Sequence, residues 1–240
     1  MFKGMPILTT DGNFLTPMVI FKGAPMGYIV QKELPQLNPT SIYACQEAAW
    51  MDERCMLIWV DQILGPYLVM NPPPPGVQPV ILLDSYQCHM MALVVSKISA
   101  LGVEVIHIPG GCTGFCQPLD VGINRPFKSH IWQLWEDWMT DMVEATNTVC
   151  NAMHEEVAEW VAAVYWDMVG SKVLKKAWQM TEYDWFPGLA CNNNNNNDGN
   201  DGNDDGNSYN YDDNGEENDE DDIFSGNDNN NDDDAEVEGE

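Results

Sequence analysis

Pro79-Val80-Ile81-Leu82-Leu83-Asp84 decides how this chain folds. It comes after a stiff connector, Asn71-Pro72-Pro73-Pro74-Pro75, and ends on an acid. A short, continuous apolar run of this kind reads as a strand over residues 78–84, buried on both faces, as in a parallel sheet with helices on each side. Working downstream, residues 89–101 look helical and stop at Gly102, and Val103 to Ile108 is a second buried strand. Working upstream, residues 5–10 and 15–21 read as a hairpin around Asp11-Gly12-Asn13. Between hairpin and strand, residues 41–64 carry a helical pattern. Trp50, Leu57 and Leu64 recur every seven, with Ala49, Met56 and Ile63 beside them and Thr40 or Ser41 as cap. Residues 118–147 are mostly helix, with Ile131, Leu134, Trp135 and Trp138 on one stripe, and helices near 151–168 and 170–180 complete an α/β domain.

Two carboxylates carry the candidate chemistry. Asp84 closes the first buried strand, at the sheet edge where ligands collect in open α/β folds. Asp120 lies 36 positions on, in the first turn of a long helix that Gln117-Pro118 introduces. Oxygen ligands of this type suit Mg²⁺ or Mn²⁺ held against a phosphodiester, in sites that use two or three carboxylates around ions about 3.5–4 Å apart. On spacing alone, each aspartate also reads as a turn or helix N-terminal acid.

The words around them narrow the choice. Four blocks run in order: Ile7-Leu8-Thr9-Thr10-Asp11-Gly12-Asn13-Phe14-Leu15-Thr16-Pro17-Met18-Val19-Ile20-Phe21-Lys22-Gly23, then Ala49-Trp50-Met51-Asp52, then Leu82-Leu83-Asp84-Ser85-Tyr86-Gln87-Cys88-His89, then Gln117-Pro118-Leu119-Asp120-Val121-Gly122-Ile123-Asn124-Arg125-Pro126-Phe127-Lys128. Together they resemble the DDE endonuclease domain of pogo/Tigger/jerky-like transposases, the group to which centromere protein B-like proteins are related. The resemblance implies a ribonuclease H-like fold with C-terminal helices over residues 1–187. It implies metal-dependent DNA cleavage and strand transfer in the ancestral form, with Mg²⁺ or Mn²⁺ at a two-metal site, DNA as partner and the nucleus as location. Asp84 matches the second acidic position of that pattern and Asp120 the third, as catalytic and metal-binding residues. The first belongs to a strand upstream of the block at Ile7, so the fold is expected to lack its first strand and the activity to be impaired. Asp11, in a hairpin turn, does not replace it. Open strand edges are then available for self-association. The alternative is a non-catalytic remnant acting as a nucleic-acid-associated or protein-interaction module.

Arg125 and Lys128, three residues apart on one helix face, are the candidate nucleic-acid contacts; a solvated face balancing an acidic domain is the competing reading. His89, five residues after Asp84, either orients that carboxylate, contacts a phosphate, or is a plain helix-start residue. Cys88, His89, Cys112 and Cys116 could in number supply four zinc ligands, but adjacent Cys88 and His89 make tetrahedral ligation awkward, and small buried thiols are the default. The Trp set Trp132, Trp135, Trp138, Trp160, Trp166, Trp178 and Trp185 reads as helical core or interface, since basic residues are few among them.

Charge bounds the partners. Of 38 acids, 19 fall in residues 192–240, a segment without Lys or Arg, and the overall net charge is −28. Residues 188–240 are expected to be a disordered Asn/Asp/Glu-rich tail, because they carry too little apolar surface to offset ordering entropy. So acidic a chain is a poor generic binder of nucleic acid, whose affinity comes mainly from Lys and Arg displacing counterions. Seven cysteines, an odd number, and the absence of an apolar leader after Met1 point to free thiols in a reducing compartment and no secretion. No run of about 20 apolar residues suggests a membrane span.

Overall fold

The computed structural model describes residues 2–9, 14–169, 172–181 and 183. Strands β1 (Phe2–Leu8) and β2 (Phe14–Lys22) form the antiparallel hairpin, and β3 (Ile42–Gln46) lies parallel to β2 on its other edge. Strands β4 (Val80–Asp84) and β5 (Glu104–Ile108) make a separate parallel pair. The Asp11-Gly12-Asn13 turn and everything beyond residue 183, including Trp185 and the tail, lie outside the described residues.

Strand β2 organises the core. It is the middle strand of its sheet and is buried along almost its whole length. Val19 and Phe21 face one apolar cluster, and Met18 and Ile20 face the other. The alternation changes phase near Pro17: Leu15 packs with Met18 rather than with Val19. Pairing with β1 explains this, since Met5 opposes Met18 but Ile7 opposes Leu15. Two residues of β2, Thr16 and Pro17, thus stand against one of β1, which is a β-bulge. A proline has no N–H to give a ladder and survives in a central strand only at such a place.

After the single-turn α4 (Thr113–Cys116), three helices cover the first face. They are α5 (Asn124–Thr146), α6 (His154–Met168) and α7 (Lys172–Met180), contributing Phe127 and Ile131, Val161 and Val164, and Leu174 and Trp178. Pro126 follows closely on the π-helical turn Leu119–Ile123, and Asn147 ends the helix in the left-handed conformation (φ 53°). The stripe Leu134, Trp135 and Trp138 packs against this cluster as its spacing indicates. The second face is covered by α1 (Glu53–Trp59), a π-helical continuation (Val60–Leu64), α2 (Gly65–Met70) and α3 (Ala92–Ala100), with Trp59 fully buried.

The two sheets belong to one layer. Leu82 of β4 packs against the Val19–Phe21 cluster, and its neighbour Leu83 against the Met18–Ile20 cluster. The same two helical layers therefore sandwich both sheets, yet no ladder among the described residues joins them. The layer is split.

Two expectations need correction. The segment 41–64 is not one helix. Ile42–Gln46 is strand β3, and the helix starts only after Asp52, whose side chain accepts from Cys55 N at 2.7 Å. The turn between them is fixed by Gln46 Oε1, which accepts from Ala48 N (2.7 Å) and Trp50 N (3.1 Å), and by Ala49 at φ 59°. Trp50, left outside the helix, is 37% exposed. Nor are β4 and β5 covered on both faces throughout, because Val80 and Ile106 are 41% and 43% exposed.

A close contact fixes the C-terminal helix. Gly122, in the π-helical turn Leu119–Ile123 that precedes α5, lies so near α7 that a Cβ there would stand 2.9 Å from Ala177 Cβ and 3.0 Å from its Cα. Backbone on one side cannot yield as a flexible side chain would. Gly122→Ala should cost about 1–3 kcal/mol of stability, as overpacking does. Ala177→Gly in that background should recover part of it, read by urea unfolding. An unchanged midpoint in Gly122→Ala would contradict the contact.

Candidate metal and nucleic-acid site

Asp84 is delivered by the last residue of β4 and then held by the turn after the strand. Ser85 Oγ donates to Ile108 O at 2.6 Å, tying that turn to the end of β5. Tyr86 N donates to Asp84 Oδ1 at 3.0 Å, an Asx-type turn. A 3₁₀ turn, Gln87–Met90, brings His89 back beneath the carboxylate, with Nδ1 at 2.5 Å from the same Oδ1. Of the readings open for His89, orientation of Asp84 is the one its contacts express. Asp84 Oδ2 takes no hydrogen bond among the described residues.

That bond sets the electrostatics. The hydrogen bond from His89 holds the Asp84 carboxyl below the usual carboxylate range, against the opposing effect of burial, with Tyr86 N helping. Burial pulls His89 down, but its hydrogen bond with Asp84, helped by the adjacent Cys88 and by the Asp84 charge, outweighs this and raises it to about 9. A carboxylate only accepts, so Nδ1 carries the proton. Nε2 is buried without a protein partner, which leaves Asp84 as the ring's main polar anchor. Among the other thiols, burial pushes Cys55 up to about 12, so it is inert at neutral pH.

Asp120 sits on the π-helical turn Leu119–Ile123 and is exposed. Asn124, one turn on, donates from Nδ2 to Asp120 Oδ1 at 2.6 Å. This partner was readable from the i, i+4 spacing. Leu119, beside Asp120, and Leu82 of β4 pack on the same apolar cluster, while Asp84 is hydrogen-bonded by Tyr86 and His89 and Asp120 by Asn124. Among the described residues, no three His, Cys, Asp or Glu side chains converge where one metal could sit. The donors nonetheless fit a hard cation in kind, since Asp84 is ionised with one oxygen open. Mg²⁺ is commonly held by one or two carboxylates, with water and phosphate oxygens completing its shell.

Arg125 and Lys128 are both exposed on the first turns of α5. Farther along the same helix the charge reverses, with Glu136, Asp137, Asp141 and Glu144. No helix among the described residues is long and apolar enough to cross a membrane.

The chain belongs to the DDE superfamily endonuclease family, whose profile matches residues 7–178. Pogo-derived proteins are among its relatives. The mouse protein "Pogo transposable element with KRAB domain" is 25% identical over 165 residues, covering 68% of this chain and 26% of the relative. The human "Pogo transposable element with ZNF domain" is 23% identical over 160 residues, covering 65% of this chain and 10% of the relative. The chain thus spans at most about a quarter of the length of these relatives. No solved structure matches it.

The Asp84–His89 pair makes a prediction about pH. His89 is raised in the folded state, so its stabilisation is full below the ordinary imidazole value near 6.5 and is lost as pH rises through about 9. Asp84 is lowered, so its share is full above the ordinary carboxylate value and is lost as pH falls through its lowered one. The whole effect is on the order of 3 kcal/mol for the histidine, between roughly pH 4 and 6.5. The imidazole resonances of His89 should titrate near 9, and clearly lower in Asp84→Asn, where burial has lost its main opponent. A parent midpoint at or below 6.5 would refute the pairing.

Proposed function

We propose that this domain derives from a transposase nuclease that cleaves and joins DNA phosphodiesters with Mg²⁺ or Mn²⁺. The observation that carries the reading is family membership over residues 7–178, with Asp84 ionised at the carboxyl edge of β4 and one carboxylate oxygen open. Asp84 and Asp120 are the residues that would hold the metal. A bound divalent ion supplies charge neutralisation at the scissile phosphate and lowers the pKa of a bound nucleophile. Arg125 and Lys128 would meet the DNA backbone through their positive charge. The nucleus is the compartment where such a substrate is found.

The split layer gains meaning in this reading. In a ribonuclease H-like sheet, one strand lies between the hairpin and the strand bearing the second acid. We assign that position to the break between β1 and β4, and the first acid to the strand that would fill it. A second reading, a non-catalytic module, is favoured by the lack of a three-acid group among the described residues.

One experiment separates the two. A chain joined to an upstream strand ending in Asp should melt several degrees higher than the 240-residue chain, because unpaired strand edges are costly when buried. It should also nick DNA with Mg²⁺ or Mn²⁺, and lose this by at least tenfold in Asp84→Asn and in Asp120→Asn. Arg125→Ala and Lys128→Ala should weaken DNA binding and flatten its salt dependence. A stabilised protein that does not nick supports the non-catalytic module.

The metal reading has its own check in the chain alone. Mn²⁺ binding, monitored by loss of its solution EPR signal, should weaken at least severalfold in both Asp84→Asn and Asp120→Asn. Binding that ignores both substitutions would remove Asp84 and Asp120 from the site.

A further inference from the structure

We propose that His89 is a positioning residue that makes Asp84 a one-oxygen ligand and thereby selects small octahedral cations over Ca²⁺; this rests on the metal site proposed for Asp84 and Asp120. The carboxylate is not symmetric. Oδ1 already accepts from Tyr86 N at 3.0 Å and from His89 Nδ1 at 2.5 Å, while Oδ2 takes no hydrogen bond among the described residues. A cation binding Asp84 would find Oδ2 the uncommitted oxygen. To take both oxygens it must break two hydrogen bonds, one of them charge-assisted and short.

The clamp is itself held in place. His89 N donates to Tyr86 O at 2.9 Å, and His107 Nε2 donates to His89 O at 3.2 Å from the neighbouring strand β5. The Tyr86 ring meets the imidazole edge-on, with centroids 5.8 Å apart and planes at 76°. His89 is 8% exposed, so it cannot swing into solvent. Hydrogen-bond partners of a liganding side chain commonly set its orientation and affinity in this way.

Ion chemistry turns that asymmetry into selectivity. Mg²⁺ and Mn²⁺ take single oxygens in an octahedron, whereas Ca²⁺ takes six to eight oxygens and readily accepts a carboxylate through both. Denying the second oxygen penalises the larger ion more. A histidine that merely packs the Gln87–Met90 turn would affect both ions alike, and this difference makes the proposal testable.

The test uses the full 240-residue chain and metal alone. Mn²⁺ affinity is read by EPR, and Ca²⁺ affinity by its competition with Mn²⁺. Parent protein should prefer Mn²⁺ by at least tenfold. His89→Phe keeps a ring but removes the donor, and should lose at least tenfold in that preference. His89→Asn places an amide N–H at the Nδ1 position, and should restore most of it. An unchanged preference in folded His89→Phe, or equal preference in the Phe and Asn variants, overturns the clamp. Should His89→Phe not fold, the parent and the Asn variant decide: Asp84-dependent binding that takes Ca²⁺ as tightly as Mn²⁺ in either overturns it as well. Mn²⁺ binding that survives Asp84→Asn unchanged is a different failure, since it overturns the metal site itself and the clamp with it.

Discussion

Everything in this domain is arranged around a strand that has no solvent face. Because β2 is buried on both sides, each of its side chains must find apolar partners, and two helical layers exist to supply them. Burying one Val, Leu, Ile, Phe or Met side chain contributes roughly 1.5–3 kcal/mol. Met18, Val19, Ile20 and Phe21 alone, all 0–1% exposed, thus anchor both layers. The bulge at Thr16–Pro17 is what lets the hairpin keep this requirement at both ends. It moves Phe14 into the cluster of Val19 and Phe21, and Leu15 into the cluster of Met18 and Ile20.

Where local pattern and tertiary environment agreed, the fold was legible in the sequence. Val80–Asp84 and Glu104–Ile108 pair in parallel, the order strand, helix, strand and C-terminal helices holds from residue 80 onward, and the stripe on α5 faces the core. Legibility failed at Ile42–Gln46. That segment is a strand only because the far side of β2 offers it a ladder, and pairing between distant strands leaves no periodic trace in five residues. The heptad of Trp50, Leu57 and Leu64 was then a coincidence across a turn. Buried Met56, Ile63 and Leu64 are real helix positions, while Trp50 precedes the Asp52 cap. The open faces of Val80 and Ile106 were hidden for a related reason, since an apolar run does not say whether the layer beside it is continuous.

The candidate site divides in the same manner. Sequence words pointed to Asp84, Asp120 and the charges at Arg125 and Lys128. They named His89 without deciding among its uses, because a five-residue offset across a strand end and a 3₁₀ turn has no fixed geometry. The short bond to Oδ1 decides it. The contribution of His107, 18 positions away on β5, left no local signal at all.

Helix α5 also has a polarity that its amphipathic stripe does not reveal. Its cations lie in the first two turns and its carboxylates in the later ones. At a rise of 1.5 Å per residue its 23 residues span roughly 35 Å, several times the screening length of about 8 Å in physiological salt. Its two ends are therefore electrostatically independent, one attractive to a polyanion and the other repulsive. A duplex running parallel to α5 would gain at the start and lose along the rest, whereas one crossing it steeply near Arg125 would avoid the later carboxylates, with Asp120 the one acid of this helical run close by. If the proposed DNA contact at Arg125 and Lys128 holds, the helix would act as a directional guide, limiting the angle at which the duplex could lie across this domain.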